Sequence, residues 1–369
     1  MTTIEVPEDL SGLDEAIAQV PNSPAVFLLW PRTGDPYLAK TILLRRRLLR
    51  LLKEREKPSR LLNLRHMVRR IEFQVTGSAF ESAILTYELA RLHFPKTYLD
   101  LLKLRMPTYV KLVLSNQFPR SLLTTHLGRA PALYCGPFRS RASAEKFESQ
   151  FLDLFQMRRC QDDLAPSPAH PGCICGEMGM CLRPCQQVVG RDEYLHEVGR
   201  IAEFLKTGGH SLLDIIASAR DRYSEEMMFE EAARQHKRFE KVQDVLKLQD
   251  DLAREIGGLH GVAITTSAAP NAVELWIVRE GHWQTPRRLS FEVQEGKPVS
   301  LDGKLRDIFG ALPQRQLAMR ERQEYLALLA RWYYSSWRDG EWLPIEIFET
   351  LPYRKLVHCI SRVARRDLP

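Results

Sequence analysis

Between Cys160 and Cys185 the chain reads CQDDLAPSPAHPGCICGEMGMCLRPC, placing five of its seven cysteines within 26 residues. Cys160, Cys173, Cys181 and Cys185 form a series C-x12-C-x7-C-x3-C, to which Cys175 is extra. Pro168, Pro171, Gly172, Gly176, Gly179 and Pro184 punctuate the stretch, so its backbone is expected to loop and to wrap around a small centre. The N-terminus, MTTIEVPEDL, has no basic start followed by an apolar run, and a reducing cytoplasm is the expected compartment. Clustered thiols there bind metal more often than they pair. Four thiolates suit an iron–sulfur cluster or a closed tetrahedral zinc site, and the spacing is not the short CxxC pairing of zinc ribbons. Unligated thiols are the alternative.

At 369 residues the chain is long enough for two or three domains. No run of about 18 apolar residues is present, so no membrane span is expected. The net charge of +7 permits a polyanionic partner without requiring one. Its distribution says more. From Lys40 to Arg70 stand Arg45, Arg46, Arg47, Arg50, Lys53, Arg55, Lys57, Arg60, Arg65, Arg69 and Arg70, against only Glu54 and Glu56. TILLRRRLLRLL, residues 41–52, has the period of a helix with one apolar and one arginine-rich face. Arg45, Arg46 and Arg50 on that face are candidates for tracking DNA phosphates, with a solvated helix face as the alternative.

Just upstream, AVFLLW reads as a fully apolar strand, RTGDP as a turn and PYLAK as a second strand. With a helix near 79–93, these elements predict a small α/β unit of about 80 to 90 residues. Residues 211–248 are helical in pattern, 256–300 read as a β-hairpin region and 300–366 as mostly helix. Trp332, Tyr333, Tyr334, Trp337 and Trp342 cluster there as core rather than as a platform for bases. The fold class expected is α+β and multidomain.

PNSPAVFLLWPRTGDPYLAKTILLRRR is similar to the N-terminal GIY-YIG nuclease segment of the C-subunit family of the bacterial UvrABC excinuclease, which makes the dual incision of nucleotide excision repair. YCGPFRSRASAEKFESQFLDLFQMRRC resembles that family's Gly-Pro-Phe segment, leading into its first cluster cysteine. FEEAARQHKRFEKVQDVL, from Phe229, resembles the UVR motif, a helical hairpin that contacts the B subunit. GVAITTSAAPNAVELWIVREGHW and LLARWYYSSWRDGEWLPIEIF are similar to the segments before the family's second nuclease domain. The resemblance implies a GIY-YIG-like domain at 19–100, an iron–sulfur region at 130–190, a UVR-like hairpin at 205–250 and a middle region at 256–369. It further implies a 4Fe–4S cluster on Cys160, Cys173, Cys181 and Cys185, with DNA and the excinuclease B subunit as partners. The family continues into an RNase H-like nuclease and helix-hairpin-helix modules, so a chain stopping at Pro369 is expected to lack the incision assigned to them.

By resemblance, Tyr37 stands where the family activates water, Arg47 where it stabilises phosphate charge, and Lys40 at a further matching position. Other positions depart. The first-strand tyrosine is Phe27, the strand glycines are Ala25 and Ala39, the expected asparagine is Tyr98, and Thr86 occupies the place of the glutamate that holds a divalent cation. A hydroxyl is a poor ligand for magnesium, which wants anionic oxygen. Glu88 and Glu81 lie about 200° and 140° round a helix from Thr86. Gln235, His236 and Lys237 depart from the usual UVR pair. Three readings follow: a DNA-binding repair protein with a degenerate nuclease unit and little or no cleavage, an active magnesium-dependent endonuclease making a single incision, or a non-catalytic module acting through the hairpin.

Overall fold

The computed structural model describes residues 1–54, 62–291, 300–313, 315–348 and 350–365. Arg55, Lys57 and Arg60 of the basic run lie outside them.

The N-terminal unit comprises β1 (Thr2–Glu5), α1 (Leu13–Gln19), β2 (Ala25–Pro31), β3 (Tyr37–Thr41), α2 (Leu44–Leu52), β4 (Val68–Val75), α3 (Ala79–His93) and α4 (Tyr98–Leu102). The strands form an antiparallel sheet in the order β1-β4-β2-β3. β2 is apolar throughout because both of its faces are covered. Ala25, Phe27 and Leu29 pack with α1 and α2, while Val26 and Leu28 pack with Leu89 of α3. The expected domain start at residue 19 is too late, since β1 and α1 belong to the same unit. Thr2 to Glu5 pair with Phe73 to Arg70.

The middle unit contains β5 (Thr108–Val113), β6 (Arg120–Thr124), β7 (Ala132–Phe138), α5 (Arg141–Leu152), α6 (Ile174–Glu177), α7 (Arg191–Lys206), α8 (His210–Glu225), α9 (Phe229–Leu246) and β8 (Arg254–Glu255). Its sheet runs β6-β5-β7-β8. Phe138, Phe147, Phe151, Phe155, Tyr194 and Phe204 fill the core between sheet and helices. The cysteine-rich loop is narrower than the span 130–190, because β7 and α5 are regular elements beneath it. Helices α8 and α9 pack on each other as a helical hairpin, with Met227, Met228 and Phe229 exposed at its tip.

The C-terminal unit holds β9 (His260–Thr266), β10 (Ala272–Arg279), β11 (His282–Trp283), β12 (Arg287–Ser290), α10 (Leu301–Gly310), α11 (Met319–Tyr333), β13 (Gly340–Ile345) and α12 (Tyr353–Arg365). The order is β11-β10-β9-β13, with β12 also on β10. Residues 300–366 are mostly helix, as expected, with strand β13 as an addition. Pro344 is tolerated because β13 is an edge strand, where a missing N–H leaves no ladder bond unmade.

One aromatic core joins this unit to α3. Phe80 stacks on Trp332 at 4.5 Å between ring centres and meets Trp276 and Trp283 edge-on. Trp332 is fully buried, whereas Trp337 is exposed. Glu324 of α11, buried itself, accepts hydrogen bonds from Tyr87 (2.6 Å), Tyr98 (2.7 Å) and Arg320 (3.0 Å). A Cβ on Gly77 would come within 2.1 Å of the Ser267 carbonyl carbon, so only glycine lets the two backbones meet there.

Candidate functional site

The first candidate is the groove beside β3 and α2. Leu44, Leu48, Leu51 and Leu52 bury one face of α2, and this fixes where its arginines stand. Arg46 and Arg50, four residues apart, share an exposed face that continues to Lys53. Arg45 lies about 100° away from Arg46 and its Nε donates to the Val20 carbonyl at 2.7 Å, so it braces the helix. Arg47 turns toward β3 and donates through Nη2 to the Tyr37 hydroxyl at 3.1 Å. Its Nε is a buried donor without a partner.

Strand alternation separates Lys40 from this pair. Tyr37 and Ala39 face the α1–α2 core, whereas Leu38 packs on the α3 side. Lys40, on the Leu38 side, keeps an exposed side chain. Desolvation by surrounding atoms and then Arg331 lower its pKa, with Asp339 opposing.

The Thr86 hydroxyl donates to the Ser82 carbonyl one turn back at 2.5 Å, the usual resting place of a threonine within a helix. Neither nearby acid replaces the missing carboxylate. Glu81 is buried and accepts the Gly77 N–H at 2.7 Å. Burial pushes its carboxyl up to about 7. Glu88 accepts the Tyr325 hydroxyl at 3.0 Å. Tyr98, standing for the expected asparagine, is buried against Glu324. Every polar group expected to help bind a cation is therefore engaged in helix or interdomain packing.

The second candidate is the cysteine loop, laid over α5 and α7. Gly172 and Gly179 take left-handed backbone (φ +76° and +68°). A Cβ on Gly172 would meet Gln186 Nε2 at 2.8 Å. Short bonds close the loop: Ser167 N–H to the Cys185 carbonyl at 2.9 Å, Gln156 Nε2 to the Gly179 carbonyl at 2.8 Å, and Leu182 N–H to the Gln156 carbonyl at 3.0 Å. All seven cysteines are unpaired thiols, with Cys181 and Cys185 buried.

Four of them share a field. Burial pushes the Cys181 thiol up to about 11, and the charges of Cys160, Cys173 and Cys185 add to it. Cys185 is raised by burial first, then by Cys173 and Cys160. Cys175 has no part in either effect, so charge coupling picks out the same four residues as the spacing. Donors also reach the sulfurs. Arg183 N–H points to Cys181 Sγ and Arg158 Nη1 to Cys160 Sγ, each at 3.4 Å. Among the described residues no group of three or more His, Cys, Asp or Glu side chains is arranged to hold a single metal ion. The four sulfurs are close enough for their charges to oppose one another, without being gathered around one ion. A soft cation there would lower the thiol pKa values and take thiolates as ligands. The donor set fits a thiolate-bound inorganic group. Among the sequence-level candidates Arg158, which reaches Cys160, went unmarked; its place two residues before the first cysteine was the available signal.

Residues 108–204, spanning β5 to α7 and the whole cysteine loop, match the family described as UvrC/Cho excinuclease, middle domain. The chain is 23% identical over 292 residues to the UvrABC system protein C of Lachnospira eligens, covering 78% of this chain and 48% of that protein. The namesake from Moorella thermoacetica is 26% identical over 336 residues, 91% of this chain and 50% of the relative. That of Ruminiclostridium cellulolyticum is 21% identical over 366 residues, with shares of 96% and 59%. No solved structure matches. The matched span identifies residues 108–204 as similar to an excinuclease middle domain. Taken over most of its length, the chain is UvrC-like, and it spans about half the length of the curated relatives it matches. No helix among the described residues is long and apolar enough to cross a membrane.

Proposed function

We propose that this UvrC-like chain acts in nucleotide excision repair, binding DNA through a degenerate GIY-YIG unit and cutting phosphodiesters weakly or not at all. The observation that carries this reading is the Thr86 hydroxyl, which is turned into its own helix where catalysis needs an anionic ligand. Without a bound divalent cation, several kcal/mol of transition-state stabilisation are lost, and each ~1.4 kcal/mol is a factor of ten in rate. Arg46 and Arg50 present exposed cations for a phosphate backbone. Arg47, paired with Tyr37, keeps a free Nε donor that a phosphate oxygen would satisfy. That same pair favours the second reading, an endonuclease making a single incision.

Cys160, Cys173, Cys181 and Cys185 would hold a 4Fe–4S cluster, with zinc as the alternative occupant. When bound, the cluster supplies structural cross-linking of the loop and a reducible centre. Hydrolysis of a phosphate ester needs no electron transfer, so the groove and the centre work separately. The exposed Met227, Met228 and Phe229 at the hairpin tip offer an apolar contact for an excinuclease B subunit.

The test combines binding and cleavage on lesion-bearing duplex DNA. The full chain should bind with an affinity that falls steeply with salt and should nick no faster in magnesium than in chelator. Magnesium-dependent nicking that disappears in Tyr37→Phe and Arg47→Ala would overturn the proposal in favour of the endonuclease.

A further inference from the structure

Arg158 is 2% exposed and has no carboxylate partner among the described residues. Its Nε donates to the Phe118 carbonyl at 3.0 Å, and its Nη1 to the Asp162 carbonyl at 2.7 Å and to Cys160 Sγ at 3.4 Å. Asp162 thus offers its backbone, not its charge. The Arg158 backbone N–H donates to the Tyr194 hydroxyl at 3.2 Å, and that hydroxyl donates on to the Pro119 carbonyl at 2.7 Å. The arrangement is braced from two sides and cannot swing into solvent without breaking these bonds.

Another buried arginine makes the contrast. Arg65, 6% exposed, is held in a fork by both oxygens of Asp14, at 2.9 and 2.8 Å. Arginine stays protonated in proteins, and a buried unpaired ion costs several kcal/mol. Carbonyl dipoles satisfy the hydrogen-bonding of Arg158 but do not neutralise it. The sulfur it reaches is a weak acceptor as a neutral thiol and a strong one as a thiolate.

We propose that Arg158 is the counter-charge of an anionic, thiolate-held inorganic centre on Cys160, Cys173, Cys181 and Cys185, and that it tunes the reduction potential of that centre. The inference rests on the metal occupancy proposed above. Four thiolates around an iron–sulfur core leave a net negative charge, the complement Arg158 otherwise lacks. A cation beside the centre stabilises its more negative, reduced state and so raises the potential.

The experiment uses the full chain purified without air, as the parent, Arg158→Gln and Arg158→Lys. Iron and zinc per chain are measured first. Thermal unfolding is then followed before and after the metal is stripped with chelator, and iron-loaded protein is titrated electrochemically. In Arg158→Gln the one-electron equilibrium should move at least tenfold toward the oxidised form, equivalent to about 59 mV. The substitution should also lower stability more in the loaded protein than in the stripped one. Arg158→Lys should stay near the parent in both respects. A purely structural arginine would destabilise both forms equally and leave the potential unmoved, and that result overturns the proposal. If Arg158→Gln does not accumulate, Arg158→Lys decides: parental iron content supports charge compensation, and loss of iron from a folded lysine variant overturns it. A parent chain holding no iron, whether empty or zinc-loaded, refutes the occupancy itself, a different failure.

Discussion

The groove beside β3 and the cysteine loop both gather polar groups, yet they balance charge in opposite ways. On α3 and α11 each acid already has a hydrogen-bond partner within the fold: Glu81 accepts the Gly77 amide, Glu88 the Tyr325 hydroxyl, and Glu324 two tyrosine hydroxyls and Arg320. The pocket is complete as it stands. In the loop Cys181 and Cys185 are raised by burial first and by neighbouring thiol charges second, and Arg158 beside them has no carboxylate partner among the described residues. A site whose residues satisfy one another has little use for a ligand, whereas one left electrostatically open calls for it. The continuous apolar run of β2 holds the fold together whatever stands at position 86, and on the proposed reading Thr86 is the change that removes metal chemistry.

The comparison breaks most visibly at Cys181. Cys181→Ser should abolish metal binding in anaerobically purified protein and lower the melting temperature by about 5 °C or more. Unchanged metal content by elemental analysis would dissolve the contrast. Next in size is the basic face: Arg46→Glu with Arg50→Glu should weaken duplex binding at least tenfold and reduce the salt slope by about 0.9 per lost phosphate contact. Arg45→Gln should change the slope little, because Arg45 is committed to Val20.

The acids of the first region can be probed by stability. Glu324→Leu leaves the hydroxyls of Tyr87 and Tyr98 without acceptors and should cost about 2–4 kcal/mol in urea unfolding. A smaller effect concerns pH. Burial raises Glu81 from 4.5 to about 7, so the folded state holds a proton that the unfolded chain releases. Stability should then fall as pH rises from about 4.5 to 7 and level off above. Glu81→Gln keeps an oxygen for the Gly77 amide and should flatten that part of the melting profile, gaining a few degrees at pH 8.

Much of this architecture was legible. The five apolar residues Ala25 to Leu29 announce a strand covered on both faces, and the glycines and prolines between the cysteines announce a loop. Alternation along Tyr37-Leu38-Ala39-Lys40 already separates Tyr37 from Lys40; the family resemblance groups them, and the strand geometry does not. Strands β1, β4 to β8 and β13 were hidden, and two of them show why. β1 is short and polar and is held by pairing with β4, a partner about 70 residues away. β13 contains Pro344 and is revealed only by its edge position. Arg158 was hidden for another reason. In a chain with 53 lysines and arginines, nothing local distinguishes a buried cation from a solvated one; only the fold that closes Phe118, Asp162 and Tyr194 around it does.

On the proposed reading Thr86 withholds an anion that magnesium-dependent cleavage would need. The direct measurement is the magnesium-dependent nicking rate of Thr86→Glu beside the parent on the same lesion-bearing duplex. A gain of about tenfold or more, lost again on adding Tyr37→Phe, is the predicted result. Equal rates in parent and Thr86→Glu, with both nicking in a magnesium-dependent way, would contradict it.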